Sequence, residues 1–129
     1  MTLRRIRLEL ARDPQQPAGD ARHGYELILP LNADGHIDAK NLAKHKSACI
    51  ARRFAPGQED EVGELIRTGP GHWAISYVEG DEDDEDIHNL EKHAFKTGDY
   101  LSIREHDGVM RTFRVAEVGE VAGIALHKR

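Results

Sequence analysis

Residues 95–118 read FKTGDYLSIREHDGVMRTFRVAEV. Two runs rich in β-branched and aromatic residues flank Asp107-Gly108, a strong local signal for a β-hairpin. Side chains alternate across a strand, so Leu101 and Ile103 share one face of the first run, and Val109, Phe113 and Val115 share one face of the second. A two-residue loop of Asp107-Gly108 would set His106 opposite Val109 and Ser102 opposite Phe113. That register places Leu101 and Phe113 on opposite faces. A three-residue loop, His106-Asp107-Gly108, sets Leu101 opposite Phe113 and Glu105 opposite Val109. All the apolar residues except Met110 then fall on one side. A one-residue slip reverses every face, so burial selects the odd loop. Gly108 takes the left-handed position that this loop needs. The outer face carries Tyr100 opposite Arg114 and Ser102 opposite Thr112. Arg111 falls on the inner face opposite Ile103 and is expected near the rim, where its head reaches water.

Upstream, residues 3–12 alternate, with Ile6, Leu8 and Leu10 on one face and Arg5, Arg7 and Glu9 on the other; this predicts a half-buried strand. Residues 13–24, DPQQPAGDARHG, read as a loop by their Pro and Gly content. A second strand is predicted over 25–31, with Tyr25, Leu27, Leu29 and Leu31 on one face, ending or lying at an edge at Pro30, which cannot donate a ladder hydrogen bond. Asp38 has the features of a helix N-cap, with Ile37 and Leu42 placed as a hydrophobic staple. The helix, 39 to about 45, is two turns long and must dock on the sheet to persist. Residues 47–54 suit a strand with Ala48, Ile50 and Phe54 inward. A second hairpin is predicted from 64–68 and 73–79 around Gly69-Pro70-Gly71-His72, Pro before Gly as a type II turn favours. It sets Ile66 opposite Ile75 and Thr68 opposite Trp73. Residues 88–94 read as one helical turn or a connector.

These segments amount to about six strands and one short helix, with turns at short spacing. The fold class expected is a small, mostly antiparallel β-barrel or sandwich. A chain of 129 residues is one domain by size. Its expected extent is 1–118, with 119–129 a tail in which Val121, Ile124 and Leu126 offer either a late strand or a fraying end. No internal repeat is visible.

Composition narrows the function classes. No apolar run is long enough to span a membrane, and the opening MTLRRIRLEL lacks the apolar core of a secretory signal. Cys49 is the single cysteine, which excludes an internal disulfide and a cysteine-based zinc cluster. A soluble cytoplasmic protein is expected. Net charge is −5. Residues 1–60 hold 10 Lys/Arg and 8 Asp/Glu, and residues 61–129 hold 8 and 15. That acidic balance argues against a nucleic-acid partner, whose binding rests on phosphate neutralisation.

Few residues suggest chemistry. The run 79–86, EGDEDDED, places seven carboxylates in eight positions, which repel one another and gain from a cation or a basic partner. It fails the EF-hand pattern: with Asp81 first, Asp86 stands where Gly is needed and Lys92 where Glu is needed. The plain reading is a solvated loop. His88 and His93 lie close by in sequence, so Asp83, Asp86, His88 and His93 are the candidate ligands for a divalent metal such as zinc or manganese. Scattered surface histidines are the competing reading, since a five-residue spacing does not put His88 and His93 on one helix face. Cys49 sits in an apolar context and reads as a core residue. No GxSxG, GxGxxG or P-loop occurs, so no catalytic residue and no cofactor-binding residue is assigned. A basic patch of Lys40, Lys44, His45, Lys46, Arg52 and Arg53 reads as a solvated face or as a surface that meets the acidic run of a second copy in a homo-oligomer.

The favoured reading is therefore a small β-rich binding or interaction domain for an unidentified protein or small molecule. The alternative is a small metal-assisted enzyme using the acidic and histidine segment 79–93.

Overall fold

The computed structural model describes residues 3–12, 17–45, 48–77, 84–87 and 90–121. Eight strands close into one antiparallel barrel in sequence order: β1 (Leu3–Leu10), β2 (Asp20–Pro30), β3 (Ile50–Phe54), β4 (Glu61–Gly69), β5 (His72–Tyr77), β6 (Glu85–Ile87), β7 (Tyr100–Arg104) and β8 (Met110–Glu120), with β8 pairing back onto β1. The expected class is thus correct, with two strands more than the expected six. Closure gives every described strand a partner on both sides, so none is left as a free edge strand, the aggregation hazard of open sheets.

The β7–β8 hairpin has the register that burial selects. Leu101 pairs with Phe113, Ser102 with Thr112 and Tyr100 with Arg114. The Glu105 amide donates to the Val109 carbonyl at 3.0 Å, and Gly108 holds φ +84° in the left-handed region. Leu101, Ile103, Phe113 and Val115 are buried, while Val109, of the same parity, is exposed at the rim.

In β1, Ile6, Leu8 and Leu10 point inward, as do Tyr25, Leu27 and Leu29 in β2. β2 starts at Asp20, so residues 20–24 are strand and not loop. The reason is Gly24: a Cβ there would lie 1.9 Å from the Leu8 carbonyl oxygen, so the missing side chain lets β2 run on against β1.

Two expectations fail by one residue each. In the β4–β5 hairpin, Leu65 pairs with Ile75 and Arg67 with Trp73. Setting Ile66 opposite Ile75 would have put Leu65 outside. A bulge between Arg67 and Gly69 and a turn at Pro70-Gly71 supply the offset. In β3, Ala51 and Arg53 face inward, while Ile50 and Phe54 are only half-buried. The inward site opposite Tyr25 takes Arg53 because carboxylates wait there. Phe54 on the outside packs under the Arg7 guanidinium, 4.5 Å from the ring centre.

The barrel interior carries a continuous apolar core. Ile6, Leu8, Leu27, Leu29, Leu65, Ile75, Leu101, Ile103 and Phe113 form its core. The end where β2 leads to β3 and β6 leads to β7 is closed by α1 (Ala39–Lys44) and by a 3₁₀ turn at Leu90–Lys92. Asp38 caps α1 by accepting from the Asn41 amide at 3.1 Å, and both staple residues, Ile37 and Leu42, are buried. The two connections are tied together where the Phe95 amide donates to the Gly35 carbonyl at 2.8 Å. β8 continues to Glu120, pairing with Arg4 of β1.

Candidate functional site

The opposite end, where β1–β2, β3–β4, β5–β6 and β7–β8 are joined, is closed by charge. Glu85, Glu105 and Arg53 are 0%, 2% and 5% exposed. Charged side chains are almost never so deeply buried unless they are paired. Each arrives on a different element: Arg53 at the end of β3, Glu85 at the start of β6, and Glu105 as the residue that opens the β7–β8 turn.

Tyr25 lies between the carboxylates. Its Oη is 2.8 Å from Glu85 Oε1 and 2.7 Å from Glu105 Oε2. Tyr77 Oη is 2.6 Å from Glu85 Oε1, and the His106 amide donates to Glu85 Oε2 at 2.8 Å. Arg53 Nε donates to Glu105 Oε2 at 3.2 Å and stands 3.5 Å from Glu85 Oε2. Arg111 Nη1 donates to Glu105 Oε1 at 2.8 Å, and His23 Nε2 lies 3.0 Å from both Glu105 oxygens. An outer ring of Gln58, Glu61 and Asp107 binds Arg53, His106 and Arg111. Among the described residues, no buried side-chain nitrogen or oxygen of this cluster lacks a partner.

The two glutamates are driven in opposite directions. Burial pushes the Glu85 carboxyl above the usual carboxylate range, and the bonds from Tyr77, the His106 amide, Tyr25 and the Arg53 charge do not reverse that. Burial acts on Glu105 in the same sense. There the bonds from His23 and Tyr25, with the charges of His23 and Arg53, outweigh it and hold the carboxyl down to about 2. Burial also raises the hydroxyls of Tyr25 and Tyr77 far above the ordinary tyrosine value, so both keep their protons.

The sequence-derived metal candidates are dispersed or undescribed. Asp86 is exposed on β6, facing away from the buried Glu85 and Ile87. His93 is half-buried just beyond the 3₁₀ turn. Asp83 and His88 lie outside the described residues. Among the described residues, no three His, Cys, Asp or Glu are grouped so as to hold a metal ion. Of the acidic run, residues 79–83 lie outside the described residues; at its end Glu85 points into the interior. The basic patch loses Arg53 to the interior, and Arg52 pairs with Glu26 and with Asp60, the latter at 2.9 Å. Cys49 is buried, and burial pushes its thiol up to about 11, as befits a core residue.

The site itself was partly readable. The odd-loop register puts Glu105 on the same face as Leu101 and Ile103, and that parity is the signal for a buried carboxylate. Tyr25 was expected inward. Arg53 and Glu85 carried no such signal, one beside an apolar residue of opposite parity and the other inside a carboxylate run.

Outside the barrel, a cleft of about 340 Å³ opens among Thr68, His72, Asp86, Arg104 and Met110. A second, of about 230 Å³, lies near Arg12, Asp20, Tyr100 and Arg114. No protein-family model, no curated protein and no solved structure matches the chain.

Proposed function

We propose that the chain is a small soluble binding domain that meets its ligand or protein partner on the outside of the barrel, and that it is neither an enzyme nor a carrier with a lumen. The observation that carries this reading is the aliphatic core of the interior, closed by α1 at one end and by the Arg53–Glu85–Glu105 cluster at the other. A barrel that carries a small molecule needs an internal cavity. A catalytic acid or base needs access to substrate, and the two carboxylates have none. The outward strand positions support a soluble role. Arg5, Arg7, Glu26, Arg52 and Glu117 form a mixed-charge lattice there, where a transmembrane barrel would present an apolar band. The cleft beside Met110 and Arg104 joins apolar surface to both signs of charge, the usual make-up of a recognition site.

A small-molecule fragment library observed by NMR tests the proposal. Binding fragments should shift resonances of His72, Asp86, Arg104 and Met110 and leave the methyl groups of Leu27, Leu29 and Leu101 unmoved. Saturable binding of a hydrophobic fluorescent probe that shifts those interior methyls would replace this reading with a carrier.

A further inference from the structure

The cluster at the barrel mouth contains more oxygen contacts than its hydroxyl groups can supply with hydrogen. Tyr25 Oη touches Glu85 Oε1 at 2.8 Å and Glu105 Oε2 at 2.7 Å, and Tyr77 Oη touches Glu85 Oε1 at 2.6 Å. Each contact needs one hydrogen between its oxygens. Two phenol groups bring two hydrogens, and an ionised carboxylate brings none. The third must reside on a carboxyl.

Glu105 is not its holder. That carboxylate faces Arg53 on β3, Arg111 on β8 and His23 on β2, all at 2.8–3.2 Å. Glu85 has one guanidinium contact, at 3.5 Å, and His106 Nε2 at 4.0 Å, the latter closer to Glu61 of β4 at 3.1 Å. Asp107 of the β7–β8 turn is paired with Arg111. Glu85 Oε2 already accepts from the His106 amide, so the extra hydrogen sits on Oε1.

We infer that the barrel mouth is a proton-binding site: at neutral pH Glu85 is a neutral carboxylic acid that donates to Tyr25 Oη, and Tyr25 in turn donates to the Glu105 carboxylate. The assignment gives every oxygen contact one hydrogen. It leaves one buried carboxylate, Glu105, against the buried Arg53, so the deepest charges balance. The direction in which burial drives Glu85 agrees with it.

The proton also holds β6 in place. β6 is three residues long and pairs at three positions with β5 and two with β7. Glu85 is its first residue. Loss of the proton leaves two buried carboxylates facing one hydroxyl, and that repulsion falls on the shortest strand of the barrel. Proton release therefore loosens β6 and the barrel wall beside it.

The wild-type protein and Glu85→Gln test this together. The Gln side chain reproduces a neutral carboxylic acid in shape and can donate to Tyr25, but it cannot ionise. The side-chain carboxyl carbon of Glu85, assigned by its loss in Glu85→Gln, should resonate at the protonated position at neutral pH, with Glu105 at the ionised position. Amide hydrogen exchange at Asp86 and Ile87, corrected for hydroxide catalysis, should speed up as the Glu85 carbon titrates in wild type and should not change in the variant. An ionised Glu85 carbon at neutral pH overturns the proton assignment, whatever the stability of the variant. Exchange that stays flat through the titration overturns the release of β6.

Discussion

Arg52 and Arg53 are neighbours in sequence and opposites in energetics. Arg53 is sealed among Glu105, Glu85 and Gln58, and its own charge is kept despite burial because the Glu105 carboxylate beside it outweighs the loss of solvent. Arg52 stands outside, with 39% of its side chain exposed, in pairs with Glu26 and Asp60. Removing one member of a buried ion pair strands the other, at about 3–5 kcal/mol. Removing one member of an exposed pair costs about 0–1 kcal/mol. Urea unfolding of Arg53→Ala and Arg52→Ala should show that contrast; equal losses would place Arg53 at the surface. Gly108 is a second residue whose role is local. Nothing lies within 4 Å of a Cβ built there, so only its φ of +84° resists substitution. Asn tolerates that conformation and a β-branched residue does not. Gly108→Val should therefore destabilise clearly more than Gly108→Asn in thermal melts.

At the scale of the element, the β7–β8 hairpin shows how a register is chosen. Its inner face holds Leu101, Ile103, Phe113 and Val115, and the Phe113 and Tyr25 rings meet nearly at right angles with centres 5.1 Å apart. Its outer face holds the exposed Ser102–Thr112 pair, with hydroxyls 3.2 Å apart. Phe113→Ala should cost about 3–5 kcal/mol because it empties a core site. Ser102→Ala should stay within about 0.5 kcal/mol. Chemical denaturation of both variants checks this, and matching losses would contradict the three-residue loop. The same alternation carries Glu105 inward, so the hairpin delivers a carboxylate to the mouth as a consequence of burying Phe113. In β3 the logic of alternation held but hydrophobicity selected the wrong face. Ile50 and Phe54 outweigh Ala51 and Arg53 on any apolar scale, and the partners that make an inward arginine favourable come from elements far away in sequence.

For the whole molecule, the mouth cluster sets how stability depends on acidity. Glu105 has a folded value near 2, below its ordinary value of 4.5. Its contribution is complete above the unfolded value and disappears as pH falls from about 4.5 through about 2, on the order of a few kcal/mol in all. Glu85 is raised, so its effect has the opposite sign: stability is greatest below its unfolded value and declines as pH rises through the folded one. The melting temperature should thus pass through a maximum on the acid side of neutrality, and Glu85→Gln should abolish the decline above it. A flat profile in wild type across the acid range would mean that the cluster is open to water. Metal is expected to play no part in this. Melting curves with EDTA, zinc, manganese or calcium should coincide, whereas a rise with metal, as mass action requires of a bound ion, would favour the metal-assisted enzyme.

The sequence alone determined what repeats along the chain. Alternation in β1, β2, β7 and β8, the Asp38 cap with its staple, and the turn at Asp107-Gly108 are local patterns, readable because neighbouring residues must share or alternate faces of the same element. Tertiary structure alone decided the closed barrel of eight strands, the existence of β6, and the meeting of Arg53, Glu85 and Glu105. Those three are separated by more than 50 residues end to end, |i−j| being 52 between Arg53 and Glu105. A charged residue in isolation belongs in water, and it enters a core only where partners from other strands cancel its charge and fill its hydrogen bonds. That balance is a property of the closed barrel, and no single stretch of this sequence contains it.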